Sequence, residues 1–123
     1  MTPIELVNEY VDAFNNVDIE KLTELYADDA VNHQVVSVPV VGKEAIGKML
    51  RDELIKTPMV CIVENIFECG LWVTLEWKEP LGHRGCEIFM IVDGKIKLQR
   101  GYYDHLSFLK EHGLPNLDKC LEN

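Results

Sequence analysis

Three side chains able to do chemistry sit close together in the stretch from Cys86 to Asp104, CEIFMIVDGKIKLQRGYYD: the acid Glu87, the base Arg100 and the phenol Tyr102. Asp93-Gly94 between two alternating apolar runs predicts a two-residue hairpin turn with φ > 0 at both central positions. Such a turn pairs Ile91 with Ile96, Phe89 with Leu98 and Glu87 with Arg100. Side chains alternate along a strand, so Phe89, Leu98, Glu87, Arg100 and Tyr102 share one face. That face is apolar at the turn and polar further on, as the wall of a pocket would be. Phe89 and Leu98 would line it, with Arg100 and Tyr102 as polar contacts to a ligand. Two states are open to Glu87. Desolvation beside Phe89 would keep it protonated as a hydrogen-bond donor. Arg100 across the ladder would instead hold it as a carboxylate, and Coulomb attraction at an effective dielectric of about 20 favours that ion pair. Asp104, just past the strand, is a helix cap or a pocket acid, and capping is the better reading.

The other elements must close the pocket. Thr2-Pro3-Ile4-Glu5 combines Pro at the first helical position with a capping box. Ile4, Val7, Val11 and Phe14 follow at helical spacing, with Tyr10 alongside. Asp18 can cap a second short helix with Ile19, Leu22, Leu25 and Tyr26 inward. Ala30 to Val41 reads as extended, and Pro39 confines it to an edge or an irregular connection. A third helix spans about Lys43 to Lys56 and stops at Thr57-Pro58. Strand-like runs then begin at Met59 and at Leu71, and the hairpin follows. His105 to His112 forms a helical turn or two, with Gly113 as its stop and Pro115 beyond. Helices first and meandering strands after predict one α+β domain over residues 1–123, with three N-terminal helices packed on a curved, mostly antiparallel sheet.

A chain of 123 residues buries one core. Net charge is −9, which disfavours nucleic acid and anionic membrane surfaces as partners. Cys61, Cys69, Cys86 and Cys120 show no metal-ligand spacing and read as reduced thiols. With no export signal and no apolar run of membrane-spanning length, the expected location is the cytoplasm. No Gly-rich phosphate loop and no acidic or histidine metal cluster is present, so no cofactor and no metal are expected. His83, His105 and His112 read as isolated, solvated histidines. Trp72 and Trp77 point to opposite faces of one strand, so only one can see the pocket.

Glu9 to Phe14, Leu25 to Ala30, Pro39 to Gly42 leading into Lys43-Glu44-Ala45-Ile46, Phe89 to Ile96 and Tyr102-Tyr103-Asp104 together resemble the nuclear-transport-factor-2-like superfamily. Within it they are similar to SnoaL-like and ketosteroid-isomerase-like proteins. The resemblance runs to about Pro115. It implies a cone-shaped fold, a homodimer formed through the outer sheet face, and an apolar pocket for a hydrophobic small molecule. Matched position by position to the isomerase-like branch, the oxyanion-hole tyrosine falls on Tyr10, the strand acid on Glu87 and the base on His33. The base there is an Asp, and a one-residue deletion lies nearby; SnoaL-like cyclases commonly carry a histidine in this region. The triad of limonene-epoxide-hydrolase-like members is not matched, since Gly101 follows Arg100 and the partner strand offers Trp77-Lys78-Glu79.

The expected activity is a cofactor-free isomerase- or cyclase-like proton transfer on a small apolar carbonyl compound. His33 would be its base, with Tyr10 and Glu87, or Tyr102, stabilising the enolate oxygen. Binding without chemistry, or a dimeric interaction domain, are the alternatives. His33 could equally be a hydrogen-bonded structural histidine, and Tyr10 could donate to the core instead of to a ligand.

Overall fold

Thr2 starts the first helix as its sequence requires: its hydroxyl accepts from the Glu5 amide while the Glu5 carboxylate accepts from the Thr2 N–H. The computed structural model describes residues 1–57 and 59–113, so Pro58, Pro115 and Cys120 lie outside the described residues. Helix α1 spans Pro3–Asn15 and buries Leu6, Val7, Tyr10 and Val11. Asp18 caps α2, Ile19–Glu24. Tyr26 does not extend that helix. It opens strand β1, Tyr26–Gln34, because β6 captures the chain there: Tyr26 pairs with Ile96, and the Ile96 amide donates to the Leu25 carbonyl. Strand β2, Val40–Val41, begins just after Pro39 and pairs antiparallel with β1. Helix α3, Lys43–Lys56, starts at Gly42, whose φ of +97° suits a residue without Cβ.

Strands β3 (Ile62–Cys69), β4 (Trp72–Lys78), β5 (Arg84–Val92) and β6 (Lys95–Tyr103) follow as a meander, and α4, His105–Glu111, comes last. The sheet order is β2-β1-β6-β5-β4-β3, and only the β1–β6 pair is parallel. One sheet face packs on the helices through Val73, Leu75, Phe89, Ile91 and Ile96, against Leu6, Val7, Leu22, Ile46, Leu50 and Leu54. This is the α+β architecture expected from the order of elements.

The hairpin departs from its expected register. Asp93 and Gly94 have φ of +50° and +72°, as a type I′ turn demands, and Ile91 faces Ile96. Beyond that pair a β-bulge at Lys97 inserts one residue, so Met90 faces Leu98, Phe89 faces Gln99, Ile88 faces Arg100 and Glu87 faces Gly101. One extra residue moves every later side chain of β6 to the other face. Gln99, Gly101 and Tyr103 therefore point inward, while Leu98, Arg100 and Tyr102 point outward. The Glu87–Arg100 ion pair is not formed. The Lys97 ammonium leaves the hairpin to pair with Asp29 on β1.

Candidate functional site

A cavity of about 300 Å³ opens between the helices and the inner sheet face. Its walls are mostly apolar: Phe14 from α1, Met49 and Leu50 from α3, Trp77 from β4 and Phe108 from α4. The segment after α3 supplies Met59, Val60 and Cys61. Asn15 fixes that segment, donating to the Cys61 carbonyl at 2.9 Å and accepting from the Cys61 amide at 2.7 Å. Trp77 faces the cavity and Trp72, 40% exposed, faces out, which is the division their spacing requires.

The polar end is a network of amides and phenols. Gln99, 1% exposed, is its hub: its carbonyl oxygen accepts from the Tyr26 hydroxyl and from Asn32 at 3.3 Å, and its nitrogen donates to the Tyr10 oxygen at 3.2 Å. Gln34 donates to the Asn32 carbonyl oxygen at 3.0 Å and to the Glu87 carboxylate at 3.4 Å. Tyr10, Asn32, Gln34 and Glu87 all line the cavity. Burial pushes the Glu87 carboxyl up to about 7, against smaller lowering by hydrogen bonds from Gln34 and Gln99. Burial also raises Tyr10, with help from the Glu87 charge, so its phenol stays protonated as a donor. At neutral pH the floor of this cavity thus holds a carboxyl poised between its two forms beside a phenol that keeps its proton.

Of the residues expected to act on or contact a ligand, Tyr10 and Glu87 line this cavity and His33, Phe89, Leu98, Arg100, Tyr102 and Asp104 do not. His33 sits between Asn32 and Gln34 on β1 and points to the opposite face, where it lies beside Arg100 of β6. Its Nε2 is 3.2 Å from the Ser37 carbonyl. The one-residue offset that removes it from the cavity is the alternation of a regular strand. Phe89 is wholly buried beneath the floor, edge-on to Tyr10 at 5.1 Å. Leu98, Arg100 and Tyr102 are on the outer sheet face for the reason given by the bulge. Asp104 caps α4, accepting from the Ser107 amide and hydroxyl, and these bonds lower its carboxyl. His33→Ala should leave ligand binding in the cavity unaltered. Ligand titration checks this, and a loss of binding would contradict the placement.

The site residues missed are Tyr26, Asn32, Gln34, Gln99 and Tyr103. Asn32 and Gln34 could have been found from strand alternation around His33; Gln99 and Tyr103 depend on the bulge. The histidines expected to be solvated are not. His83 is 6% exposed and packs between Trp77, Tyr103 and Phe108, with ring centroids 5.5–5.7 Å away. His112 places its Nε2 2.9 and 3.0 Å from the two Glu79 carboxylate oxygens, and His105 lines the cavity. Together Phe108 and His112 dock α4 over one end of the cavity. Cys61, Cys69 and Cys86 are free thiols, and burial pushes the Cys61 thiol up to about 12, too high for a reactive thiolate. No helix among the described residues is long and apolar enough to cross a membrane.

A family model described as a SnoaL-like domain matches residues 7–99. A structure with a ketosteroid isomerase-like fold from Catenulispora acidiphila, in complex with trimethylamine, superposes with a TM-score of 0.80 at 19% identity, over 90% of this chain and 94% of that one. An LEH-like epoxide hydrolase of M. tuberculosis does so at 0.78 and 24%, over 89% and 84%. A putative polyketide cyclase of Sinorhizobium meliloti gives 0.74 and 21%, over 83% and 100%. At these identities the likeness shows a shared fold. No match was found among curated proteins.

Proposed function

Because the chain belongs to the SnoaL-like domain family, whose cone encloses a pocket, we propose that it takes up a small, largely apolar carbonyl compound and moves a proton on it without a cofactor. Glu87 is the proton-transfer group and Tyr10 the second donor to the carbonyl oxygen. The observation that carries this reading is the Glu87 carboxyl itself, buried at the floor of an apolar cavity with amides rather than a cation beside it, and therefore near 7. A general acid or base works best with a value close to the operating pH. Protonated, Glu87 donates to the substrate oxygen together with Tyr10; ionised, it accepts a proton from the adjacent carbon. His33 has no part in this step, since it faces away.

The test is hydrogen–deuterium exchange at the α-carbons of cyclohexanone and 2-tetralone in D₂O, followed by NMR. The protein should accelerate exchange above the buffer rate for the ketone that fits. A second reading, binding without chemistry, is favoured by one feature: among the described residues no second titratable side chain is bonded to Glu87 to relay its proton onward. That reading predicts ligand-induced stabilisation with exchange at the buffer rate.

The outer sheet face belongs to a second copy of the chain. Phe67, Thr74, Ile88, Arg100 and His33 form one row across it, with Phe67 62% exposed and Trp72 40% exposed in the neighbouring row. Apolar groups this exposed gain from mutual burial at about 25 cal/mol per Å². Sedimentation should give a dimer for the parent chain and a monomer for Phe67→Glu; a monomeric parent rejects the assignment.

A further inference from the structure

Gln34 and Glu87 stand on strands that are not neighbours. Gln34 lies across from Gly101 on one side of β6, and Glu87 lies across from the same Gly101 on the other. Two strand spacings, about 9–10 Å, separate their backbones. Their side chains meet only by leaning toward each other over position 101. A Cβ there would fall 1.9 Å from the Gln34 Oε1 and 2.6 Å from the Glu87 Oε2. No left-handed φ is needed at Gly101, so this glycine is required by close approach and not by its backbone angles. Gln34 is itself anchored, because the nitrogen that reaches Glu87 also donates to Asn32 at 3.0 Å, and Asn32 is tied to Tyr26 and Gln99.

We propose that Gln34 is the positioning residue for Glu87, bridging its carboxyl to the Asn32–Tyr26–Gln99 network across the gap left by Gly101. This rests on the reading of Glu87 as the proton-transfer group. The bridge does two things. It fixes the direction of a carboxyl that would otherwise have the freedom of a Glu side chain, and an oriented group keeps the entropic advantage of a pre-formed site. It also donates to the charged form, opposing the burial that favours the neutral one. The other titratable groups that feel the Glu87 charge are Tyr10 on α1, Tyr26 on β1, Cys61 after α3, Cys86 on β5 and Tyr103 on β6. All five are raised and stay neutral near pH 7; Glu53 and Lys56 of α3, Glu79 after β4 and His105 of α4 line the same cavity.

The experiment is a ¹³C NMR titration of the Glu87 carboxyl in the ligand-free protein, in the parent, in Gln34→Met and in Gly101→Ala. Gln34→Met keeps the length of the side chain and removes its donor; Gly101→Ala keeps both partners and forces them apart. In both, Glu87 should titrate at a higher pH than in the parent, and the pH profile of ketone exchange should move upward with it. Should Gly101→Ala fail to fold, Gln34→Met alone carries the test. An unshifted Glu87 titration in Gln34→Met, with ketone exchange intact, overturns the bridge and leaves the proposed chemistry standing. A shifted titration in a protein that exchanges no ketone supports the bridge and overturns the chemistry.

Discussion

Glu87→Gln should abolish proton transfer and at the same time stabilise the protein above pH 7. Loss of the buried Glu87 carboxyl at the cavity floor removes the general acid or base, a step worth typically about 10²–10⁴-fold, so ketone exchange should fall toward the buffer rate. The stability effect follows from the raised carboxyl. Its ordinary value is 4.5 and its folded value is about 7. Between those limits the folded chain holds a proton that the unfolded chain has released, so stability falls as pH rises through this window. The loss levels off above 7, where it amounts to about 3 kcal/mol at one pKa unit per 1.36 kcal/mol. Gln carries no charge at any pH and retains an oxygen able to accept from Gln34. The variant should therefore match the parent near pH 4 and exceed it at pH 8. Urea unfolding of both proteins at the two pH values decides this. A midpoint difference that does not change with pH would mean that Glu87 is not buried as described.

Such a gain on removal is expected where a side chain is kept for chemistry at the expense of the fold. It also separates Glu87 from the ordinary acids of the surface. Asp29 and Glu5 are lowered by their hydrogen bonds, so what they contribute is present at neutral pH and lost on acidification, and replacing them should remove that dependence.

Much of the fold was legible because its signals are local. The Thr2–Glu5 capping box, the Asp18 and Asp104 caps and the Asp93-Gly94 turn each involve residues within a few positions of one another, and each is where its pattern placed it. The site was legible only in part. Tyr10 on a helix and Glu87 before the bulge both line the cavity, since neither position depends on a long-range register. What failed was parity. Lys97 shows no glycine or other bulge signal; its side chain pairs with Asp29, a residue 68 positions away. His33 failed for a related reason: Val31 and Asn32 differ in polarity, yet which of them points inward is set by pairing to Leu98 and Gln99 of β6. A strand's inner face is a tertiary property wherever both of its faces carry mixed residues.

The second large effect tests that parity directly. Gln99→Leu should cost about 3 kcal/mol, whereas Leu98→Gln should cost less than about 1 kcal/mol. An uninterrupted hairpin would put Leu98 beside Phe89 in the core and turn Gln99 outward, so leucine at 99 would be harmless and glutamine at 98 would bury an amide without partners. With the bulge the ranking inverts. Leucine at 99 strips the Tyr26 hydroxyl of its acceptor and the Tyr10 oxygen of its donor, and Tyr26 is wholly buried with no solvent to replace the bond. Each buried orphan costs about 1–3 kcal/mol, only partly offset by the apolar surface that leucine adds. Leu98 sits half-buried on the outer face, across from Met90, where in the monomer a glutamine head can reach water, so both variants are compared in the Phe67→Glu background. The two substitutions exchange the same pair of residue types, so composition and strand propensity nearly cancel and the difference reports which way each position points. Chemical unfolding of both variants measures it, and equal losses, or a larger loss for Leu98→Gln, would restore the uninterrupted hairpin and take the polar floor with it.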